Sequence, residues 1–373
     1  MRYPEFLKEN GSVGFIAPSF GCVQEPYNTL FNNTISKIEA KGHKTVLGPN
    51  CRLEVGQGKS NTAEECGKEV NDFFINDKSD VIISCGGGET MCEDLPFIDF
   101  DKIKQASPKW YMGYSDNTNL TFMLNILCDT ASIYGPCAGS FGMEADPEYV
   151  RDAWDLINGK KSTFHNYDYW FLEPKMCGIE LPVGAKKFQV DSEDEYMLGL
   201  NECELEVVNI NDKDYISMPY KQRLFIGEKE VKEISLSGRL IGGCLDCLAN
   251  IVGTKFDKVN DFVEKYKEDG IVWFLEACDL NVMSIRRALW QLENAGWFKY
   301  TKGFMFGRPL HYNDTFGDFD RIDAVVGILG KLNVPIILDM DLGHLSPAIP
   351  IVSGAVGNIC AMDNDFTIDY QLI

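Results

Sequence analysis

The chain has 373 residues, of which 45% are hydrophobic and 24% charged, and its formal net charge is −21 at pH 7. These values are ordinary for a globular protein with room for two domains, and they argue against a disordered chain. The acidic balance argues against binding to nucleic acid or to an anionic membrane, because either would need a basic patch. No apolar stretch approaches the roughly 20 residues of a membrane span, and the polar start does not resemble a signal peptide. We therefore expect a cytoplasmic protein.

The N-terminal 150 residues alternate between strand and helix patterns. Strands are predicted at 12–17, 44–47, 80–85, 110–113 and 131–134, and helices at 27–41, from residue 62, and at 146–156. Thr62 and Glu65 have the spacing of a capping box at a helix start. Repeated units of this kind predict an open parallel sheet with helices on both faces, as in Rossmann-like or flavodoxin-like domains.

Beyond residue 150 the pattern weakens and then recovers. Residues 151–234 are irregular, polar and rich in aromatic side chains, which predicts a linker or insertion that could close over a site as a lid. From residue 235 to 373, strands at 239–241, 270–275, 304–306 and 335–338 alternate with helices, one of which should stop at Gly296. The sequence thus predicts an α/β protein with an N-terminal parallel-sheet domain (1–150) and a smaller C-terminal α/β domain (235–373).

The thirteen cysteines point to reduced thiols rather than to a disulfide framework, because they are scattered and no export signal accompanies them. The close pair Cys244 and Cys247 has no second pair at zinc spacing. We interpret it as two partly buried small side chains rather than as a redox site. Nothing in the sequence predicts a metal ion or an organic cofactor.

Residues 110–118 carry the most informative pattern, with the sequence WYMGYSDNT. The apolar run ends at Gly113, and an apolar helix pattern begins soon after Ser115. This order predicts a strand, a sharp turn and a helix, with Ser115 lifted out of the sheet at the turn, where free N–H groups of the helix start can face its target. The second glycine of the usual G-x-S-x-G turn is absent.

A serine nucleophile needs a base and, usually, a carboxylate that orients the base. Of the four histidines, His344 and His311 both lie in glycine- and proline-rich loops of the second domain, and spacing alone does not choose between them. Glu276 ends a buried strand, at the edge where a charged side chain should face a crevice. Asp279 follows closely and competes for the same role.

Three glycines at 86–88 follow the buried strand at 80–85. Such a loop could cradle a phosphate, offer a backbone N–H to an oxyanion, or simply make a tight turn. The phosphate interpretation is weak, because neither a GxGxxG pattern nor a Walker lysine is present.

Taken together, these segments resemble the LD-carboxypeptidase family of serine peptidases, which includes the microcin C immunity peptidases. The likeness rests on VGFIAPS at 13–19, GYSD at 113–116, LE at 275–276 and GH at 343–344, with support from 86–88, 241–243 and 253–254. The resemblance implies that Ser115 is the nucleophile, His344 the general base and Glu276 the orienting carboxylate. It also implies two α/β domains with the triad completed between them, commonly in a homodimer.

The resemblance further implies an oxyanion hole made of backbone N–H groups, here those of Asp116 and of Gly87 or Gly88. One departure is Cys244, where family members usually carry asparagine after the Gly-Gly pair.

Two substrate classes are compatible with the resemblance. The first is a murein tetrapeptide that loses its terminal D-alanine, and Arg308 is a candidate to bind the free carboxylate of such a peptide. The second is an aminoacyl or peptidyl nucleotide, whose base Trp170 could stack against, as in the microcin immunity branch. A ligand-binding protein without turnover is the alternative from another class.

Overall fold

Two β-sheets with helices packed against them organise the chain. A computed structural model describes residues 1–56, 58–143, 146–172, 186–187, 203–204 and 217–372. The strands are β1 Ser12–Ile16, β2 Lys44–Leu47, β3 Val81–Ser84, β4 Trp110–Gly113, β5 Ser132–Tyr134, β6 Thr163–His165, β7 Tyr169–Phe171, β8 Lys186–Lys187, β9 Cys203–Glu204, β10 Ser217–Pro219, β11 Arg223–Ile226, β12 Lys229–Val231, β13 Glu233–Cys244, β14 Ile271–Glu276, β15 Thr301–Gly307, β16 Pro335–Met340, β17 Ile351–Ser353, β18 Val356–Met362 and β19 Asp365–Gln371. The helices are α1 Tyr27–Ala40, α2 Ala63–Ile75, α3 Phe100–Gln105, α4 Thr118–Ile126, α5 Ala138–Phe141, α6 Glu148–Ile157, α7 Leu245–Ile251, α8 Val259–Lys265, α9 Val282–Asn294 and α10 Arg321–Leu329.

The first sheet has the strand order β17-β5-β4-β3-β1-β2. The five strands from the N-terminal part are parallel, and β17 pairs with β5 in the antiparallel sense. Every residue of β3 and β4 is buried, as expected for strands that are covered on both faces. The predicted α/β fold with a parallel sheet is confirmed.

The second sheet has nine strands in the order β12-β11-β16-β15-β14-β13-β18-β19-β6. The central strands β13 to β16 are parallel, and antiparallel strands extend the sheet on both sides. It has more strands than the first sheet, because β6, β11 and β12, from the region interpreted as a linker, pair with it. The strand β13 begins at Glu233, two residues before the predicted start of the second domain.

The rest of the predicted linker is described only in part. The strands β7 and β10 form a two-stranded antiparallel sheet, and so do β8 and β9. Residues 173–185, 188–202 and 205–216 lie outside the described residues, and so does most of the predicted lid.

The two halves of the chain share their hydrophobic core. Phe122 on α4 stacks on Trp297 with 5.6 Å between ring centroids, and Trp297 stacks in turn on Trp273 of β14 at 5.9 Å. The crossing of β17 into the first sheet adds a second connection, where Asn125 of α4 donates a hydrogen bond to the Ser353 carbonyl at 3.3 Å. The helix that follows Ser115 is therefore packed against the second half of the chain.

Two local signals in the sequence have counterparts in the structure. The Thr62 side chain accepts a hydrogen bond from the Glu65 N–H at 3.4 Å and caps α2, whereas the Thr62 N–H donates to Asn61 Oδ1, so one half of the predicted capping box forms. Gly296 follows α9 with φ +83°, a conformation that favours glycine. The cysteines whose side chains are described are free thiols. No helix in the described parts of the chain is long and apolar enough to cross a membrane.

Candidate active site

The carboxyl ends of three strands bring the predicted catalytic residues together. Ser115 follows β4 of the first sheet, Glu276 is the last residue of β14 in the second sheet, and His344 lies in the loop after β16. Side chains beyond the carboxyl ends of parallel strands commonly face a shared crevice. Here both sheets supply residues to the hydrogen-bonded group, so each half of the chain contributes part of the site.

The three side chains form a continuous chain of hydrogen bonds. His344 Nε2 lies 2.9 Å from Ser115 Oγ, and His344 Nδ1 lies 2.8 Å from Glu276 Oε2. Glu276 is fully buried, and 11% of the His344 side chain is exposed. Because a carboxylate can only accept, Nδ1 carries the proton and Nε2 is left to accept from the serine hydroxyl.

Ser115 has a backbone conformation that is rare for a residue with a side chain, with φ +63°. It begins a single 3-10 turn, Ser115–Asn117, that leads directly into α4. The Asn117 side chain stabilises the turn, because it donates hydrogen bonds to the carbonyls of Tyr114, at 3.0 Å, and Gly86, at 2.9 Å. The predicted strand, turn and helix are all present, with Ser115 at the turn.

The glycine loop at 86–88 lies against the nucleophile. A Cβ on Gly87 would lie 3.1 Å from Ser115 Cβ and 3.3 Å from its Oγ, so a side chain there would push the serine aside. Gly88 has φ +154°, and the Gly87 carbonyl accepts a hydrogen bond from the Phe20 N–H at 3.0 Å. The loop thus presents backbone alone to the reacting hydroxyl.

The Asp116 carboxylate is occupied by structural contacts. It accepts hydrogen bonds from Ser19 Oγ at 2.6 Å, from the Met91 N–H at 2.9 Å and from Asn119 Nδ2 at 2.9 Å. Burial raises the pKa of this carboxyl group, although these donors oppose the effect. Only the backbone N–H of Asp116 is therefore a candidate for the predicted oxyanion role.

The loop that carries His344 approaches Glu276 closely. A Cβ on Gly343 would lie 2.8 Å from Glu276 Oε2, and the residue has φ +104°. A glycine before the histidine therefore lets the loop pass the buried carboxylate without a clash.

Burial and charge act in opposite directions on the histidine and the glutamate. Burial alone would raise the pKa of Glu276, but the positive charge of His344 and its hydrogen bond lower it overall. Burial alone would lower the pKa of His344, and the negative charge of Glu276 instead raises it well above its usual value. The pair therefore favours an ionised glutamate and stabilises the imidazolium that a general base becomes.

The structure distinguishes the candidates that spacing left open. His344, and not His311, contacts Ser115. Glu276, and not Asp279, accepts from the imidazole. Asp279 is exposed, and its backbone N–H donates to Asp246 Oδ1 at 2.9 Å.

Arg308 and Trp170 are both buried, with exposed fractions of 1% and 3%. The Arg308 guanidinium forms an ion pair with Asp341 and donates to the Asp339 carbonyl at 2.7 Å. It also lies 4.7 Å from the centre of the Trp170 ring. The predicted contacts of these two residues with a substrate find no support in this arrangement, because each side chain is already covered by the protein. From sequence alone, a loop arginine that pairs internally looks the same as one that awaits a ligand.

Sequence reasoning missed two side chains next to the triad. Tyr134 contacts both Ser115 and Glu276, and its position at the end of a strand before Gly135 and Pro136 was a signal that could have drawn notice. Burial raises the pKa of the Cys278 thiol to about 11, and the neighbouring His344 opposes this shift.

The Cys244 and Cys247 pair lies next to the turn at Ser115. Both residues are buried, and Cys247 Sγ lies 3.7 Å from the Ser115 carbonyl. Burial raises the pKa of the Cys244 thiol well above its usual value, which keeps it protonated and unreactive. No cluster of three metal-ligating side chains occurs among the described residues.

A serine, a histidine and a glutamate that are hydrogen-bonded in sequence on a two-domain α/β fold form the arrangement that serine hydrolases use. Family models for the LD-carboxypeptidase N-terminal domain and C-terminal domain match residues 13–135 and 237–359. The chain belongs to the LD-carboxypeptidase family of serine peptidases, peptidase family S66, which confirms the resemblance seen in the sequence.

Relatives match over almost the whole chain. A Vibrio cholerae protein, provisionally assigned as a carboxypeptidase, is 24% identical over 99% of this chain and 98% of its own length. The microcin C7 self-immunity protein MccF of Escherichia coli is 23% identical over 93% of this chain and 90% of its own length.

Solved structures show the same fold. An MccF-like protein from Bacillus anthracis superposes with a TM-score of 0.73 at 18% identity, and the match covers 100% of both chains. MccF in complex with glutamyl sulfamoyl guanosine has a TM-score of 0.70 at 18% identity over 99% of both chains.

Proposed function

We propose that this protein hydrolyses an amide bond of a small peptide-like substrate through a covalent acyl-enzyme. The observation that carries the proposal is the unbroken hydrogen-bond chain from Ser115 Oγ through the His344 ring to Glu276. A serine hydroxyl becomes an effective nucleophile when a neighbouring base takes its proton, and His344 Nε2 is within reach to do so.

The mechanism follows from the positions of the protons. Ser115 Oγ attacks the substrate carbonyl as its proton moves to His344 Nε2, and Glu276 stabilises the imidazolium that results. The N–H of Asp116 and an N–H of the loop at Gly87 and Gly88 stabilise the negative oxygen of the tetrahedral intermediate. The imidazolium then protonates the leaving amine, and an activated water molecule releases the acyl group from Ser115 in the reverse sequence.

The first candidate substrate is a murein tetrapeptide with an L,D bond, from which the enzyme releases the terminal D-alanine. The family descriptions of both matched domains support this reaction. Arg308, the sequence-based candidate for the terminal carboxylate of this peptide, forms an ion pair with Asp341.

The second candidate is an aminoacyl or peptidyl nucleotide. The match over almost the full length of the microcin C7 immunity protein supports it, as does the solved complex of that protein with glutamyl sulfamoyl guanosine. The reaction at Ser115 is the same for both candidates, so only the groups on either side of the scissile bond differ.

A side-by-side assay tests the proposal. Purified protein is incubated with an L,D-tetrapeptide and with an aminoacyl sulfamoyl adenosine, and the release of D-alanine or of the free amino acid is followed. We expect turnover of one substrate, a loss of several orders of magnitude in Ser115→Ala, and no loss in Ser36→Ala, whose hydroxyl is bonded within α1.

Each alternative gives its own pattern in this assay. Binding of either compound without turnover in the wild-type protein would favour the ligand-binding alternative. Hydrolysis that persists in Ser115→Ala would contradict the proposed nucleophile.

A further inference from the structure

The hydroxyl group of Tyr134 lies between the nucleophile and the orienting carboxylate. Tyr134 is the last residue of β5 in the first sheet, and its side chain is buried. The Ser115 N–H lies 3.0 Å from the Tyr134 oxygen, and that oxygen lies 2.5 Å from Glu276 Oε1. One hydroxyl thus joins the turn of the first sheet to the carboxylate of the second.

The direction of both hydrogen bonds follows from the groups involved. A backbone N–H can only donate, so the Tyr134 oxygen accepts from Ser115. A carboxylate can only accept, so the single phenolic proton is donated to Glu276. Burial and the negative charge of Glu276 raise the pKa of Tyr134 well above its usual value, which keeps that proton in place at neutral pH.

This contact immobilises the carboxylate. Glu276 Oε1 accepts from Tyr134 and Oε2 accepts from His344, so neither oxygen is free to rotate away. With the carboxylate held, His344 keeps its proton on Nδ1 and presents Nε2 to Ser115 Oγ.

The same contact also constrains the nucleophile. Ser115 has φ +63°, and a hydrogen bond to its N–H opposes relaxation of that rare conformation. Because this N–H points to Tyr134, the donors for an oxyanion come from Asp116 and from the glycine loop instead.

We propose that Tyr134 is a positioning residue of the catalytic site, which sets the distance and orientation between Ser115 in the first half of the chain and Glu276 and His344 in the second. This inference rests on the proposed serine hydrolase function. It adds to the triad a fourth side chain that touches neither substrate nor reacting atoms and acts through its two neighbours.

The test measures how fast Ser115 reacts with a fluorophosphonate probe as a function of pH, which needs no knowledge of the natural substrate. We expect Tyr134→Phe to react roughly 10- to 100-fold more slowly, since it releases both neighbours. Without the phenolic proton, Glu276 interacts more strongly with the imidazolium and raises the pKa of His344. The midpoint of the acid limb should therefore shift to higher pH by about half a unit.

A matched control is Tyr167→Phe. The Tyr167 hydroxyl donates to Asp152 Oδ2 at 3.0 Å, so it is also a buried tyrosine paired with a buried carboxylate, but outside the triad. The labelling rate and pH profile of Tyr167→Phe should equal those of the wild-type protein.

A double-mutant cycle separates positioning from a general loss of structure. Because part of its effect runs through Glu276 and part through the Ser115 N–H, Tyr134→Phe should slow the reaction by a smaller factor in a Glu276→Gln background than in the wild-type protein. A merely structural defect would slow the reaction by the same factor in both backgrounds, and that result would overturn the proposal.

The remaining outcomes are also decisive. If the wild-type protein is not labelled at Ser115, the proposed function fails and this inference fails with it. If the wild-type protein is labelled and Tyr134→Phe matches it in rate and pH profile, the positioning role alone is overturned.

Should Tyr134→Phe fail to fold, 3,5-difluorotyrosine at position 134 keeps the contact as a stronger donor. It should move the acid limb to lower pH, and an unchanged limb would overturn the proposal.

Discussion

At the residue scale, the site depends on its side chains and on glycines that leave room for them. Ser115 lies in a rare backbone conformation with its Oγ within 2.9 Å of the His344 ring. The glycine at position 87 borders it so closely that an added methyl group would meet it at 3.1 Å. His344 and Gly87 together therefore restrict the position of the Ser115 hydroxyl.

Replacement of Gly87 tests this constraint. Gly87→Ala should lower kcat/KM by roughly 10- to 100-fold, because the serine must move by a few tenths of an ångström and misplaced reactants react slowly. Gly139→Ala is the control, since a Cβ there meets nothing closer than 3.7 Å. Steady-state kinetics provide the measurement, and equal activity of the two variants would contradict the assigned geometry.

The pH dependence of activity follows from the pair of His344 and Glu276. Only neutral imidazole accepts the serine proton, so activity falls as the pH drops through the pKa of His344. Burial lowers that pKa, but the charge of Glu276 outweighs burial and raises it well above the usual value near 6.5. The acid limb of kcat/KM should therefore have its midpoint above pH 6.5, and a midpoint at or below that value would argue against an ionised Glu276 beside the ring.

At the scale of elements, strands with a clear local pattern were predictable, and short strands with distant partners were not. The strands β3 and β14 are continuous apolar runs, and α2 has a capping signal. Each element can therefore be recognised from a few consecutive residues. By contrast, β6 and β17 have three residues each, and β17 pairs with β5 from the opposite half of the chain. Short strands whose partners are distant in sequence leave no local periodicity, so they were assigned to a linker or not predicted.

The connection between β17 and α4 gives a prediction about stability. Asn125 is buried and donates to the Thr130 carbonyl at 2.8 Å and to the Ser353 carbonyl at 3.3 Å. Asn125→Ala should lower the free energy of unfolding by about 2–3 kcal/mol, because buried polar groups lose their partners. Urea denaturation measures the change.

Asn294→Ala is the control for this prediction. The Asn294 side chain is exposed and bonds only within its own helix, so its loss should cost less than about 0.5 kcal/mol. Similar losses in the two variants would mean that the connection between β17 and α4 contributes little.

At the scale of the whole molecule, the site exists only where the two sheets meet. The sequence was sufficient for the nucleophile turn, because strand, turn and helix are contiguous around Ser115. The partners Glu276 and His344 had competitors until a family resemblance and then the structure distinguished them. The contacts of Tyr134 with Glu276 and of Arg308 with Asp341 were not foreseen, because both join distant segments that no spacing reveals.

We propose Ser115 as the nucleophile, activated by His344 from the other half of the chain. The most direct test of this proposal is peptide mapping by mass spectrometry after treatment with a fluorophosphonate probe. We expect a single adduct on Ser115 in the wild-type protein and labelling slower by several orders of magnitude in folded His344→Ala. An adduct on another residue, or labelling of Ser115 at an undiminished rate in His344→Ala, would contradict the proposal.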